Sequence, residues 1–483
     1  MLIRVNGMKI LILNPALKNS RESFIKEGRC EQRLSSFQYV MMPISLPSTA
    51  GLLRKGGHDV KILDCVVDKK DISEILNIIE EFSPSLAIVN ISTATYYDDL
   101  YIVDMVKTKF PFIHLTGIGN HVSSLPEAVL SESKLDSIIL GEPEFTSHLL
   151  LSRLSEKKNI SDIEGFAWRD KDGKVTVNKK RYFNENLDEI PFPARDLMDN
   201  KKYTLPIINE PYALIISSRG CPYDCIFCTA NQYYGKTLRL RSPEKIIAEI
   251  EEVRTKYGVR NVTMWSDTFT LDREFVVKIC NLLIAKRLGV RWMCNSRVDK
   301  VDPGLLELMK KSGCMGISYG IESGNQEILD NIKKKITILH IKNAIKWTRQ
   351  AGIESLVHVI FGLPGETRET IEETTNFIIE LDPDYAQFYC AIPFPGTEFY
   401  NICKKNGWLI TENWKRFELN QAIVNTALLS AEDLHKARVC AYKRFYIRPG
   451  YVLSRLKKTK NIADMILLFK QGTCFMRNWV LSR

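Results

Sequence analysis

The chain has 483 residues, a formal net charge of +10, 45% hydrophobic residues and 26% charged residues. That balance excludes a disordered or fibrous chain and leaves apolar residues enough for two to four packed domains. The charge suits an anionic ligand, RNA or a membrane surface without selecting one, but no RNA-binding motif is visible and no apolar run reaches a membrane span.

The 12 cysteines are scattered, which points to free thiols in a reducing, cytoplasmic setting rather than a disulfide framework. The first apolar run, Ile10 to Leu13, ends at Asn14-Pro15 and is too short for a signal peptide. Lys9–Leu13, Asp59–Leu63, Leu86–Ile91, Phe112–Thr116 and Ser137–Leu140 read as strands. Helical patterns cover Leu46–Gly56, Ile72–Phe82, Tyr97–Lys109, Leu125–Ser131 and Phe145–Leu154. This alternation predicts a doubly wound, Rossmann-like (flavodoxin-like) parallel sheet over residues 1–150, in an α/β chain. Such a sheet binds ligands at the carboxyl ends of its strands. Ser92 and Thr93 follow the third strand, Gly117, Gly119 and His121 the fourth, and Gly141 and Glu142 the fifth. Residues 151–208 read as a linker, with strand-like pieces after Ile163 and an extended Pro191-Phe192-Pro193 segment.

Tyr212–Ile216 is a buried strand that runs into a loop carrying Cys221, Cys225 and Cys228. A structural zinc site uses four protein ligands. An iron–sulfur cluster held by three cysteines keeps one iron for a small molecule. A metal knuckle or three chance core cysteines is the plainer alternative. Further strands follow at Asn261–Trp265, Val290–Cys294, Met315–Ile321, Glu354–Phe361 and Tyr385–Ala391, with helices between them. Six strand–helix steps predict a partial (βα)6 barrel of the TIM type over residues 209–400. Its chemistry is expected at the C-terminal strand ends, where Asp267, Arg297, Glu322, Ile360 and Gly362 fall. Residues 401–483 read as a helical region, including Ala431–Tyr446. Its tail from Tyr451 is basic with an apolar face, suited to peripheral membrane contact or to docking on the protein's own core.

Cys221-Pro-Tyr-Asp-Cys225-Ile-Phe227-Cys228 resembles the radical S-adenosylmethionine (SAM) signature, and the Gly362-Leu-Pro-Gly-Glu-Thr367 run is a second mark of that family. A Rossmann-like domain ahead of such a core resembles the cobalamin (B12)-binding radical SAM proteins, which include class B methyltransferases and anaerobic oxidative cyclases. The resemblance implies a 4Fe–4S cluster on Cys221, Cys225 and Cys228, with SAM on the open iron. It implies a SAM site formed by Phe227, Asp267, Arg297, Glu322, Ile360 and Gly362. There Arg297 would fork onto the SAM carboxylate, and Glu322 would hold its ribose or amino group. Cobalamin would meet Ser92 and Thr93, with Gly117, Gly141 and Glu142 around it. The Asp-x-His-x-x-Gly motif of many B12 proteins is absent, so no histidine of that motif is expected on cobalt.

The implied reaction takes an electron from a donor such as flavodoxin or ferredoxin and cleaves SAM to a 5′-deoxyadenosyl radical. That radical activates a carbon of a small-molecule or lipid substrate, most simply for methylation. Cyclisation or rearrangement is the alternative. An RNA methylthiotransferase would carry a second cysteine triad, but only Cys30 and Cys65 precede the core. A metal-stabilised RNA-binding protein is the non-enzymatic alternative.

Overall fold

The computed structural model describes residues 7–17, 24–27, 30–33, 40–170, 172–178, 183–205, 208–458 and 472. The chain opens with β1 (Lys9–Asn14) and a hairpin of β2 (Phe24–Glu27) and β3 (Cys30–Arg33). Six further strands follow: β4 (Asp59–Asp64), β5 (Leu86–Asn90), β6 (His114–Ile118), β7 (Ser137–Ile139), β8 (Phe166–Arg169) and β9 (Val175–Val177). They join β1 in one sheet of order β4-β1-β5-β6-β7-β8-β9. The pairs from β4 to β7 are parallel, and β8 and β9 add antiparallel.

Side-chain alternation explains why these runs are apolar throughout. Leu11, Leu13, Ala87 and Val89 enter one core. Ile10, Ile12, Leu86 and Ile88 enter the core on the opposite face. Helices cover both faces, so neither side of a strand meets water. The strand order reverses beside β1, which puts the crevice of a doubly wound sheet at the ends of β1 and β5.

Three expectations shift. The fourth strand starts at His114, because Phe112 is 69% exposed and lies before the buried run. Gly117 therefore lies inside β6 instead of after it. The expected linker contains β8 and β9, whose Phe166 and Ala167 are buried and extend the first sheet.

The second sheet contains all six expected strands. The elements run β10 (Tyr212–Ile216), β11 (Ser218–Arg219), β12 (Arg239–Leu240), β13 (Asn261–Trp265), β14 (Arg291–Ser296), β15 (Cys314–Glu322), β16 (Glu354–Phe361) and β17 (Tyr385–Cys390). The sheet is parallel, with order β10-β13-β14-β15-β16-β17. β11 and β12 form a separate antiparallel ribbon. In β16, Val357, Val359 and Phe361 are buried, while Leu356, His358 and Ile360 on the other face are half-buried. The first set packs under the helices and the second faces the barrel interior.

The helix Ala431–Tyr446 covers the β17 edge. Phe388 N–H donates to the Tyr442 hydroxyl, and the Tyr446 hydroxyl bridges the N–H and carbonyl of Ala386. Those bonds occupy backbone groups that a bare edge strand would expose. Most of the basic tail lies outside the described residues, and its expected membrane contact with it. Among the described residues no helix is long and apolar enough to cross a membrane.

Candidate active site

The cysteine loop leaves β10 through the ribbon. Gly220 has φ +89°, and a Cβ there would lie 2.1 Å from the Thr237 carbonyl, so only glycine fits. Cys221 N–H donates to Gly235 O at 3.2 Å, and Cys228 N–H to Cys225 O at 3.1 Å. Ile226 is buried and anchors the loop to Ile332 O and, through the Phe399 N–H, to the next segment. Cys221, Cys225, Phe227 and Cys228 are half-buried around this anchor. Burial pushes the Cys225 thiol up to about 11, with Lys334 and Arg297 pulling the other way. Among the described residues no three His, Cys, Asp or Glu side chains gather into a set that holds one metal ion. Three thiols on one loop match in number a cluster that keeps one iron open for a small molecule.

Glu322 ends β15 at a register shift and has φ +62°. Its Oε1 accepts from Lys334 Nζ at 2.6 Å, and both side chains are under 10% exposed. A Cβ on Gly320 would lie 2.5 Å from that carboxylate and 3.0 Å from the ammonium, so the bare glycine makes room for the pair. Burial alone would lower Lys334; Glu322 reverses this and holds it above the ordinary lysine value. The sequence does not single out Lys334, which sits inside Lys333-Lys334-Lys335 and is set apart only by its burial.

Arg297 does not present a free fork. Its Nε donates to Asp299 at 2.9 Å, its Nη2 to Lys334 O at 2.9 Å, and its guanidinium lies 3.5 Å from the Tyr223 ring centroid. It ties the cysteine loop to the Lys334 segment. Asp267 stands at the end of β13 beside Ser266, whose buried Oγ has no hydrogen-bond partner among the described residues. Ile360 faces the barrel interior. The Gly362 N–H donates to Glu366 at 2.5 Å, and a Cβ on Gly362 would strike Leu434 at 2.7 Å. Gly362 is therefore packed under the C-terminal helix and does not meet the interior through its α-carbon.

The edge of the first sheet is polar and closed. Asn90 Nδ2 donates to Asn14 at 3.1 Å, Asn14 Nδ2 to Asp64 at 2.8 Å, and the Tyr203 hydroxyl to Asp64 at 2.7 Å. Lys26 pairs with Asp99 at 2.6 Å, both fully buried. A cleft here is lined by Lys26, Ser45, Asn90, Ser92, Gly119 and Tyr233. Ser92 Oγ bonds Thr95 at 2.8 Å, and Thr93 is buried beside it. Gly119 lines the cleft, has φ +121°, and a Cβ there would lie 2.3 Å from Ile91 O. A Cβ on Gly117 would instead meet Leu135 and Ile91 in the core. Gly141 donates to Ser123 Oγ at 3.0 Å, and Glu142 is taken up by arginines of the ribbon. Neither lines the cleft.

The radical SAM superfamily model matches residues 215–378, and the B12 binding domain model matches residues 33–150. A methyltransferase of Pyrococcus horikoshii, itself uncharacterized, is 32% identical over 412 residues, covering 85% of this chain and 89% of its own. The chain belongs to the B12-binding radical SAM proteins. The anaerobic magnesium-protoporphyrin IX monomethyl ester cyclase of Rubrivivax gelatinosus is 27% identical, over 85% of this chain and 75% of its own. The radical SAM methyltransferase TsrM of Kitasatospora setae, solved with cobalamin and a [4Fe-4S] cluster bound, shares the fold. Its TM-score is 0.72 at 16% identity, over 97% of this chain and all of the solved one.

The polar lining of the cleft in this radical SAM protein fits a nucleotide tail, and Glu27 Oε1 beside it is buried without a partner among the described residues. Its free volume, about 10 Å³, admits roughly one water.

Proposed function

We propose that this radical SAM enzyme methylates an unactivated carbon of a small-molecule or lipid substrate and depends on cobalamin. In this reading Cys221, Cys225 and Cys228 hold the cluster, and an electron carrier such as flavodoxin or ferredoxin reduces it in the cytoplasm. The buried Glu322–Lys334 pair, next to Cys225, supports the reading most. SAM is a zwitterion, and a carboxylate beside an ammonium matches its amino and carboxylate groups in charge. Lys334 takes the SAM carboxylate, the part first expected of Arg297. Glu322 takes the amino group or the ribose. Arg297 fixes the loop between them, Asp267 meets SAM or substrate, and Phe227 and Ile360 supply apolar walls. Ser92, Thr93 and Gly119 meet the cobalamin tail, and the domain around them runs to Val177.

When bound, the cluster and SAM supply a 5′-deoxyadenosyl radical and cobalamin supplies a methyl carrier. The chain's own part is to hold SAM in one orientation, to keep water from the barrel interior and to close the two domains over the substrate.

The likeness to the cyclase favours ring closure as a second reading. Atom balance separates the two. Methylation consumes one SAM as the radical source and one as the methyl source, giving 5′-deoxyadenosine and S-adenosylhomocysteine together. Ring closure gives 5′-deoxyadenosine alone. Anaerobic reconstitution with iron, sulfide and hydroxocobalamin, followed by cobalt analysis and product counting on cell extract as substrate source, tests both. A folded chain that retains no cobalt overturns the methyltransferase reading.

A further inference from the structure

The ribbon that closes the cysteine loop has an unusual cross-strand pair. In the antiparallel register of β11 with β12, Arg219 stands directly opposite Arg239. Two like charges at that separation push a two-stranded ribbon apart. Both guanidiniums are 4% exposed, so water does not screen them.

The compensating charges come from the other domain. Glu142 and Glu144 stand at the head of the helix Pro143–Ser155, just after β7. Arg219 donates to Glu144 through both terminal nitrogens, at 2.5 and 3.2 Å. Arg239 donates to Glu142 in the same way, at 2.5 and 3.1 Å. Arg219 also lies 3.2 Å from Glu142, so that carboxylate bridges the two arginines. Glu144 is fully buried and Glu142 is 10% exposed. Burial alone would lower the Arg219 pKa; Glu144 and Glu142 reverse this and hold it well above the ordinary value. The ribbon leads directly into Gly220 and Cys221, and the far side of the loop returns through Gly235 and Thr237 to Arg239.

We infer that Glu142 and Glu144 are positioning residues for the iron–sulfur loop: by neutralising the Arg219–Arg239 pair, the B12-binding domain sets the shape of the loop that carries the cysteines. The charge assignment follows from bidentate pairing, which fixes angle as well as distance. Removing one carboxylate leaves two facing guanidiniums buried with half their compensation. The ribbon then splays and the thiols lose their common geometry. This goes beyond the proposed reaction and rests on the cluster assignment.

The test uses the full chain, reconstituted anaerobically with iron and sulfide. Four forms are compared: wild type, Glu142→Gln, Glu144→Gln and the pair Glu142→Gln/Arg239→Gln. The readouts are iron content, the electron paramagnetic resonance spectrum of the reduced cluster with and without SAM, and 5′-deoxyadenosine formed with dithionite. Each single variant is expected to broaden the spectrum, to lose the shift that SAM causes and to cleave SAM about tenfold more slowly. The pair removes one charge of each sign, and it is expected to regain the wild-type spectrum and to cleave within about threefold of wild type. A single variant that fails to fold while the pair folds gives the same support. Wild-type spectra in both single variants overturn the inference, as does a pair no better than its parent single. A wild-type chain that takes up no iron overturns the cluster assignment and this inference with it. Iron in the wild type with unperturbed single variants overturns this inference alone.

Discussion

At the carboxyl end of the barrel sheet, Ser318, Gly320, His358 and Ile360 are half-buried and face the interior. At the carboxyl end of the first sheet, Asn14, Asp64, Asn90 and Lys26 are buried and bonded to protein partners. For sheets of both kinds the rule is that ligands bind at strand ends. The barrel meets it with half-buried surface that is already formed, beside a Glu322–Lys334 pair that is itself buried and bonded. The first sheet meets it with groups whose hydrogen bonds are satisfied internally, so a ligand there has to exchange one set of bonds for another.

The largest expected effect breaks the barrel side of this comparison. Cys221→Ala, Cys225→Ala and Cys228→Ala should each abolish SAM cleavage and lower the iron content from about four per chain. Corrin uptake by the first domain should persist, as followed by absorbance. Full cleavage in any one of the three variants would remove that cysteine from the cluster.

Next comes the closed edge. Lys26→Met leaves the Asp99 carboxylate buried without its cation, which should cost about 3–5 kcal/mol in urea unfolding. Burial already holds Asp99 up at about 6, with Lys26 opposing. Iron uptake should be unchanged. A loss below about 1 kcal/mol would mean that water reaches the cleft wall, and the contrast between the two sheet ends would weaken.

What the sequence disclosed follows from how local each signal is. The six barrel strands and the cysteine loop depend on runs and spacings within a few residues, and they stand where expected. The β2–β3 hairpin and the β11–β12 ribbon were not read, because strands of two to four residues carry too little periodicity. Gly117 falls inside β6 because that strand ends two residues later than the apolar pattern suggests. The pairing of Glu142 with Arg239 leaves no local mark, because the two lie 97 residues apart in the chain. Lys334 was hidden between two lysines of the same kind, and its partner Glu322 comes from a different element. A contact made across the fold leaves no spacing to read.

A smaller effect sharpens the preformed side. Glu322→Ala and Lys334→Met each remove one half of the buried pair. Loss of a charge-assisted bond should weaken SAM binding by about 1.5–3 kcal/mol, or roughly ten- to a hundredfold. Titration of the cluster's absorbance with SAM measures this at unchanged iron content. An unchanged dissociation constant in both variants would remove the pair from the SAM site.

The smallest effect concerns a buried group that the barrel leaves partly unsatisfied. Glu366 is 1% exposed, its Oε2 accepts from the Gly362 and Leu363 N–H groups, and its Oε1 has no partner among the described residues. Burial pushes its carboxyl from 4.5 up to about 8, with the two backbone donors opposing. Between those values the folded chain keeps a proton that the unfolded chain has released. Stability from this group is therefore fully present below about pH 4.5, and it falls as the pH rises towards 8. Glu366→Gln keeps an acceptor for both N–H groups and has no proton to lose. Its melting temperature relative to wild type should rise steadily from pH 5 to pH 8. A difference that stays flat across that range would mean the carboxylate is solvated, and the Gly362 turn would then be open to water like the rest of the barrel mouth.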